Sequence, residues 1–596
     1  MPETVKSQSR FPGWAHGLAF GLCLLPPLAL AVLLRRNAVN VPYWDEWDDD
    51  LAGIFLKWHA GTLSFGDFWA QHTESRLVLP RLIFLLLGNL SHWNLCWQMT
   101  TTFLLVGGAA LAIGWLGRKT LAEHPVTGWL ACFIASLLLF SPAQSQAWLW
   151  GLEMILYLPH CFILASLLVL RTKLAWQTKL LYCAVMATAS TYSFSNGLLA
   201  WPALFPILFL TKGWHGLRQK SRAALLWLFA FLANAGWYFQ DYQFPTTPGL
   251  WQVLCAQPLL VLEYLCAFLG GPLANQNSGQ ETPIAMVVGG SQFVLFFAIG
   301  VAVFHRRKHV ALMSRVWPWL TLGGYAVLSA LLATAGRAAF GPAQALAPRY
   351  GIFGICLTVA LVYLVPILVF YPSAPAGKLR PAGLTHSLIT LLLGAMIIGL
   401  YALALPAAVV NLKVFSYDLR EAKACLKFLD VLPPQPATTA FLCPDYLRVK
   451  HMADELNQAG VWNFSLFQTR RLADFQTDQP PAGPSGSIEN SQVSGTQLVL
   501  SGWAFAAPRR VPADCVLFTS EGAGVEPQIF ALMDQRFVRA DLVKRFQDSA
   551  FLLAGWEKTC PLADLPKGTL TVKAWSYDLA TDRLTPLAGE VTLTNR

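Results

Sequence analysis

Between residues 41 and 50 the chain reads VPYWDEWDDD, which places Asp45, Glu46, Asp48, Asp49 and Asp50 among Tyr43, Trp44 and Trp47. An aromatic face can stack on a sugar ring, and a carboxylate held beside it can act as a general base once partial burial raises its pKa. The alternative is a solvated acidic loop. Four other stretches also carry polar groups beside apolar runs. Residues 71–81, QHTESRLVLPR, hold His72, Glu74, Arg76 and Arg81. His72 and Glu74 have the spacing of half a metal site, but with no third ligand evident an ion-paired helix start is the simpler account. Arg76 or Arg81 could grip an anionic phosphate, because a guanidinium fork matches phosphate oxygens. Residues 140–153, FSPAQSQAWLWGLE, combine a Trp-rich turn typical of a membrane interface with Glu153, which such a belt does not explain. Residues 192–202, YSFSNGLLAWP, read as a tight corner whose Asn196 would point into any cavity that the corner lines. Residues 335–350, AGRAAFGPAQALAPRY, contribute Arg337, Arg349 and Tyr350. The two arginines could snorkel at helix ends, or face the acidic loop across a charged cleft.

The elements that must position these groups are apolar. Of the 596 residues, 55% are hydrophobic and only 13% charged, about half the charge of a soluble domain. Apolar runs long enough for a ~30 Å hydrocarbon layer recur from near residue 14 to near residue 406, so a polytopic α-helical membrane protein is expected. The net charge of +10 does not imply nucleic acid, because the basic residues lie in short loops between apolar runs. The first run, 14–34, lacks a cleavage site and reads as a retained helix.

Basic loops alternate with loops nearly free of Lys and Arg. The first set includes Arg118 and Lys119; Arg171, Lys173 and Lys179; Arg218, Lys220 and Arg222; and Arg306, Arg307, Lys308 and Arg315. The positive-inside rule puts these in the cytoplasm with the N-terminus, and the acidic loop outside. Consistent alternation makes 77–90 and 250–271 short, embedded or re-entrant segments. About eleven crossings result, or about thirteen if both short segments cross. The crossings are expected near 14–34, 94–117, 125–142, 152–170, 178–194, 197–211, 222–239, 283–304, 316–335, 351–371 and 384–406.

Residues 1–410 therefore form a transmembrane domain. Residues 411–478 read as a small exported α/β element with helical patterns at 419–429 and 449–459. Residues 479–487, QPPAGPSGS, are a linker. Alternating β-rich segments at 497–505, 511–519, 568–578 and 589–594 predict a periplasmic β-sandwich over 488–596. Eight of the twelve cysteines lie in or beside apolar helices, where they act as small hydrophobes. Cys425, Cys443, Cys515 and Cys560 lie in the exported part, and sequence order favours disulfides 425–443 and 515–560.

The segments PYWDEWD at 42–48, HTESRLVLPRL at 72–82, SFSNGLLAWP at 193–202 and GRAAFGPAQALAPRY at 336–350, set in this order of helices, resemble motifs of the GT-C superfamily of membrane glycosyltransferases. The resemblance spans residues 1 to about 410 and is nearest to bacterial arabinofuranosyl- and mannosyltransferase types that use a polyprenyl-phosphate sugar. It implies an inner-membrane enzyme that transfers a sugar with inversion to a periplasmic glycan or glycolipid. Asp45, or alternatively Glu46, would be the base, and Arg76, Arg337 or Arg349 would stabilise the departing phosphate. No cofactor is obligatory under this reading, although a divalent cation bound by carboxylates such as Asp48 is possible, as in some relatives. The β-sandwich would bind glycan or serve as a cap. Rival expectations are a transporter or flippase, or a polymerase, of lipid-linked glycans. A transporter should carry its charges near mid-membrane, and a polymerase should have a large late loop. Membrane lipid is an expected partner and nucleic acid is not.

Overall fold

The computed structural model describes residues 12–48, 51–211, 214–244, 250–274, 279–371, 384–462, 464–479, 485–506, 509–522 and 525–595. Asp49, Asp50, the linker residues 480–484, and the basic residues Lys6, Arg10, Lys212, Lys378 and Arg380 lie outside these. The chain is mostly helical and divides into two compact units. The first comprises Met1–Ala38, Ser64–Phe84 and Trp97–Leu412, and the second Val39–Leu63, Leu85–Cys96 and Lys413–Arg596. The later boundary falls after Leu412. The acidic loop, however, belongs to the second unit.

Among the described residues, eight helices are long and apolar enough to cross a membrane: Gly13–Asn37, Cys96–Thr120, Pro125–Leu149, Gly151–Leu170, Glu281–His305, Val310–Phe340, Pro348–Phe370 and Leu388–Lys427. Each covers one of the expected crossings. The other three expected crossings are the helices Trp176–Thr191, Ala200–Phe209 and Ser221–Tyr238, which lack that combination of length and hydropathy. The stretches expected to be short are short apolar helices, Val78–Ser91 and Pro258–Leu273. Burial sorts the long helices. Pro348–Phe370 is strongly apolar and 83% buried, the profile of a central helix, whereas Gly13–Asn37 is also strongly apolar but only 6% buried. Leu18, Leu104, Val287, Phe297 and Leu403 are exposed on such helices, an outward apolar surface far beyond scattered single residues.

Two helices approach backbone to backbone. A Cβ on Gly270 would stand 1.9 Å from the Ala285 carbonyl oxygen, and one on Gly289 would stand 1.9 Å from that of Cys266. Pro258–Gly270 therefore seats against Glu281–His305 at a distance that small residues alone permit. The first unit also holds a two-stranded hairpin, β1 (Gln71–His72) and β2 (Ser75–Arg76).

In the second unit, the helix Tyr446–Ala459 starts at Asp445, whose carboxylate accepts the Arg448 N–H at 3.2 Å, and ends at Gly460 in the left-handed conformation. The β-rich part comprises β3 (Gly486–Ser494), β4 (Gln497–Ala506), β5 (Val511–Pro512), β6 (Cys515–Gly522), β7 (Val525–Leu532), β8 (Gln535–Phe537), β9 (Gly555–Pro561), β10 (Gly568–Asp578) and β11 (Arg583–Asn595). Where a sandwich of two separate sheets was expected, the strands form one curled sheet in the order β7-β6-β10-β11-β3-β4-β9-β8, with β5 on β4. Its two antiparallel halves meet at a single parallel pairing, Ala588 with Ser487. Leu500, Phe518, Ile529, Trp556 and Val572 fill a shared core, which Phe428 also enters.

The expected disulfides do not form: Cys425, Cys443, Cys515 and Cys560 are all free and buried. Cys515 lies on β6 and Cys560 on β9, which four strands separate in the sheet. Cys425, Cys515 and Cys560 pack as apolar core members, and burial pushes the Cys560 thiol up to about 11.

Candidate substrate cavity in the helical unit

The first unit contains a cavity of about 440 Å³. Most of its wall is apolar and includes Phe194, Phe239, Phe244, Phe268, Leu332 and Phe353. Its polar groups are Glu74, Ser195, Asn196, Tyr238, Tyr242, Arg337 and Tyr350.

Arg337 ends the helix Val310–Arg337, where a cation complements the carbonyl end of the helix dipole. Its Nη2 donates to Glu74 Oε1 at 2.9 Å and its Nη1 to the Tyr350 hydroxyl at 2.7 Å. Two bonds leave part of the five-donor fork for a ligand. Glu74 sits in the turn between β1 and β2, beside Thr73 at φ 46°. Its carbonyl accepts the Tyr238 hydroxyl at 2.7 Å and the Tyr242 hydroxyl at 3.2 Å, which holds the turn against the aromatic wall. Burial, and then the nearby Glu74 charge, push the Tyr242 phenol above its ordinary value, so it stays a donor.

Tyr350 links this group to a second one. Its hydroxyl also accepts from Gln344 Nε2 at 3.3 Å, and Gln344 Oε1 accepts the Tyr264 hydroxyl at 2.6 Å. The Arg349 guanidinium lies 5.1 Å from the Tyr350 ring centroid, and its Nε is 3.9 Å from buried Glu153. Two arginines and two carboxylates are thus joined around one tyrosine. Asn196 reaches the wall from the turn Ser195–Leu199. The Ser195 N–H donates to Ser75 Oγ at 3.1 Å, which ties the corner to the hairpin. Gly197 permits the corner, since a Cβ there would stand 1.7 Å from the Ser190 carbonyl oxygen.

Other sequence-predicted residues serve the scaffold. Buried Arg76 donates to the carbonyls of Tyr238 at 2.7 Å and Trp69 at 2.8 Å, and also to that of Gln240. Buried Arg81 donates to the Phe68 carbonyl at 2.9 Å and to that of Ala70. Both forks hold the backbone of helix ends and the residues just after them, and neither arginine lines the cavity. His72 is buried on β1, paired in register with Ser75. Among the described residues, no three His, Cys, Asp or Glu side chains gather as a metal site.

The acidic loop, in the second unit, forms the 3-10 turn Trp44–Trp47. Buried Glu46 is its cap, accepting the Tyr43 N–H at 2.9 Å. Trp47 is fully buried, donates to the Pro42 carbonyl at 3.1 Å and meets the Trp462 ring edge-on. The Tyr43 ring packs edge-on against Phe415. Asp48 pairs with Arg448. Asp45 is half-buried beside exposed Trp44, whose φ of 49° is a strained value for a bulky side chain. Within the loop, therefore, Glu46 and Asp48 have structural partners, and the strained aromatic flanks Asp45.

Tyr238, Phe239, Tyr242 and Phe244 line the cavity, yet in the sequence they fall where a stretch nearly free of Lys and Arg begins. The signal that marks them is the density of rings in WYFQDYQF at 237–244, five in eight residues against three in ten in the acidic loop. Comparison with protein-family models, with curated proteins and with solved structures found no match.

Proposed function

We propose that this chain is an inverting membrane glycosyltransferase that takes a sugar from a polyprenyl-phosphate donor and passes it to a glycan or glycolipid acceptor at the exported face of a bacterial inner membrane. The observation that carries the reading is the cavity: a hydrocarbon-lined hollow with an arginine fork, a carboxylate and an amide at its wall. Such a lining suits an amphiphile with an apolar tail and an anionic head. The long apolar helices, with the N-terminus inside and the C-terminal sheet exported, supply about eleven crossings in this reading.

In the proposed step the acceptor oxygen attacks the anomeric carbon, the bond from that carbon to the phosphate oxygen breaks, and the acceptor proton passes to a carboxylate. Arg337, braced by Tyr350, stabilises charge developing on the phosphate. Two carboxylates are candidates for the base: Asp45, from the resemblance, and Glu74, because it lines the cavity beside Arg337. Proton transfer to a positioned carboxylate contributes roughly 10²–10⁴-fold. The test uses membranes containing the parent or the Asp45→Asn, Glu74→Gln or Arg337→Met variant, incubated with radiolabelled polyprenyl-phosphate sugars and envelope glycans. Transfer by the parent and its loss in Arg337→Met and in one carboxylate variant is expected. Undiminished transfer by both carboxylate variants would remove the proposed base. Absence of transfer by the parent with every donor would remove the reading.

A further inference from the structure

The second unit carries a hollow of about 560 Å³ on the β6, β10 and β11 part of its sheet, within the size range of small-molecule sites. We propose that this hollow is a saccharide-binding site that takes a neutral oligosaccharide through Trp575, Lys573, Glu521 and Glu590. The site is separate from the cavity of the helical unit and does not depend on the transfer reaction.

The hollow has a structural origin. Along β10 and β11, Lys573 pairs with Glu590 and Trp575 with Pro586, so that Ala574 faces three residues of β11. A bulge of this kind bends the strand and re-aims its side chains. Lys573 and Trp575 alternate with buried Val572, Ala574 and Ser576 and are themselves half-buried, the Trp575 ring resting against the edge of the core. On β6, Thr519 is the register partner of Lys573, and Glu521 lies two residues further on the same face. Trp575 is half-buried, and its indole N–H donates to Thr519 Oγ1 at 2.9 Å, which fixes the ring. Pro527 and Pro586 add flat apolar wall.

The polar groups select the ligand class. Lys573 Nζ lies 3.1 Å from Glu521 and 3.9 Å from Glu590, so one donor group stands between two acceptors. Carboxylates outnumber the cation, which disfavours an anionic ligand. A purely apolar ligand would cover the excess carboxylate charge without compensating it. A sugar satisfies both demands: its hydroxyls donate to the carboxylates and accept from the ammonium, while its C–H face lies on an aromatic ring. The pre-set ring reduces the ordering cost of binding.

The test uses the full chain purified in a detergent without a sugar headgroup, titrated calorimetrically with cellohexaose, mannohexaose, xylohexaose and arabinohexaose. At least one should bind with a Kd of ~0.1–1 mM, the weak end of specific recognition. Trp575→Ala should weaken that binding at least tenfold, Glu521→Gln severalfold, and Trp575→Phe should keep most of it. Failure of all four oligosaccharides to bind overturns the proposal, as does parental affinity in folded Trp575→Ala. If Trp575→Ala fails to fold, parental affinity in Glu521→Gln overturns it. Arg337→Met should bind the oligosaccharide like the parent even where it has lost transfer, so failure of this site and failure of the transferase reading are distinguishable.

Discussion

Replacing Arg337 by methionine separates a structural from a chemical role, because the two differ in size. Its ion pair with Glu74 joins side chains that are 32% and 35% exposed, and a pair so accessible to solvent is worth about 1 kcal/mol or less. The bond to the Tyr350 hydroxyl adds about 1 kcal/mol after allowance for the same solvent access. Methionine fills a similar length along the aliphatic stem, so the fold should lose no more than ~2 kcal/mol and the unfolding midpoint should fall by only a few degrees. A guanidinium that stabilises a departing phosphate is worth more. Loss of one such group costs ~2.7–4 kcal/mol, or 10²–10³ in kcat. Transfer by Arg337→Met should therefore fall at least a hundredfold while most of the protein stays folded. Arg337→Lys, which restores charge without the planar fork, should fall between the two. Parallel measurements of transfer with a radiolabelled polyprenyl-phosphate sugar and of thermal unfolding in detergent decide the matter. A loss of transfer no larger than the loss of folded protein would refute the assignment of Arg337 to the reaction.

Four further outcomes are expected. Asp514 is almost wholly buried; burial alone would raise its carboxyl, but Arg420 and Arg509 at 2.6 and 2.8 Å hold it below its ordinary value. A depressed folded pKa stabilises above the unfolded value of about 3.9 and is lost as pH falls through the folded one, so acid unfolding followed by tryptophan fluorescence should steepen below pH ~4. Asp514→Asn should remove that acid dependence and cost ~3–5 kcal/mol at neutral pH. Gly197→Ala puts a methyl group 1.7 Å from the Ser190 carbonyl oxygen and should cost several kcal/mol, read as a lower melting midpoint or failed expression; a parental midpoint would contradict the close approach. Glu46→Ala removes the cap of the acidic turn and should cost ~1 kcal/mol by denaturant titration. All twelve cysteines should alkylate in the unfolded chain without reductant, and a mass shortfall would reveal a disulfide.

The long helices were legible because a run of apolar residues states its length and environment directly. Pro348–Phe370 and Gly13–Asn37 have similar hydropathy, however, and no periodicity distinguishes the central helix from the peripheral one. At the site, Glu74, Asn196, Arg337 and Tyr350 were each legible as polar groups beside apolar runs. Their meeting was not, since it depends on a hairpin and a helix end far apart in sequence. Arg76 and Arg81 show the opposite limit. A guanidinium that satisfies backbone carbonyls uses the same fork as one that grips phosphate, and nothing local separates them. Glu46 was hidden in the same way, as one carboxylate of several until the turn spent it on a backbone N–H. Alternation marked β4 and β10 well, but it carried nothing about strand order, and strand order is what keeps Cys515 from Cys560.

The glycine-to-carbonyl seam between Pro258–Gly270 and Glu281–His305 stands behind Phe268, one wall of the cavity. A partition clamped at that distance has no slack, because any outward step would have to pull both main chains away from each other at once. Adjustment to a thicker guest must then come from the side of Phe239 and Phe244, which are open to solvent. The hollow thus has one stiff jaw and one compliant jaw.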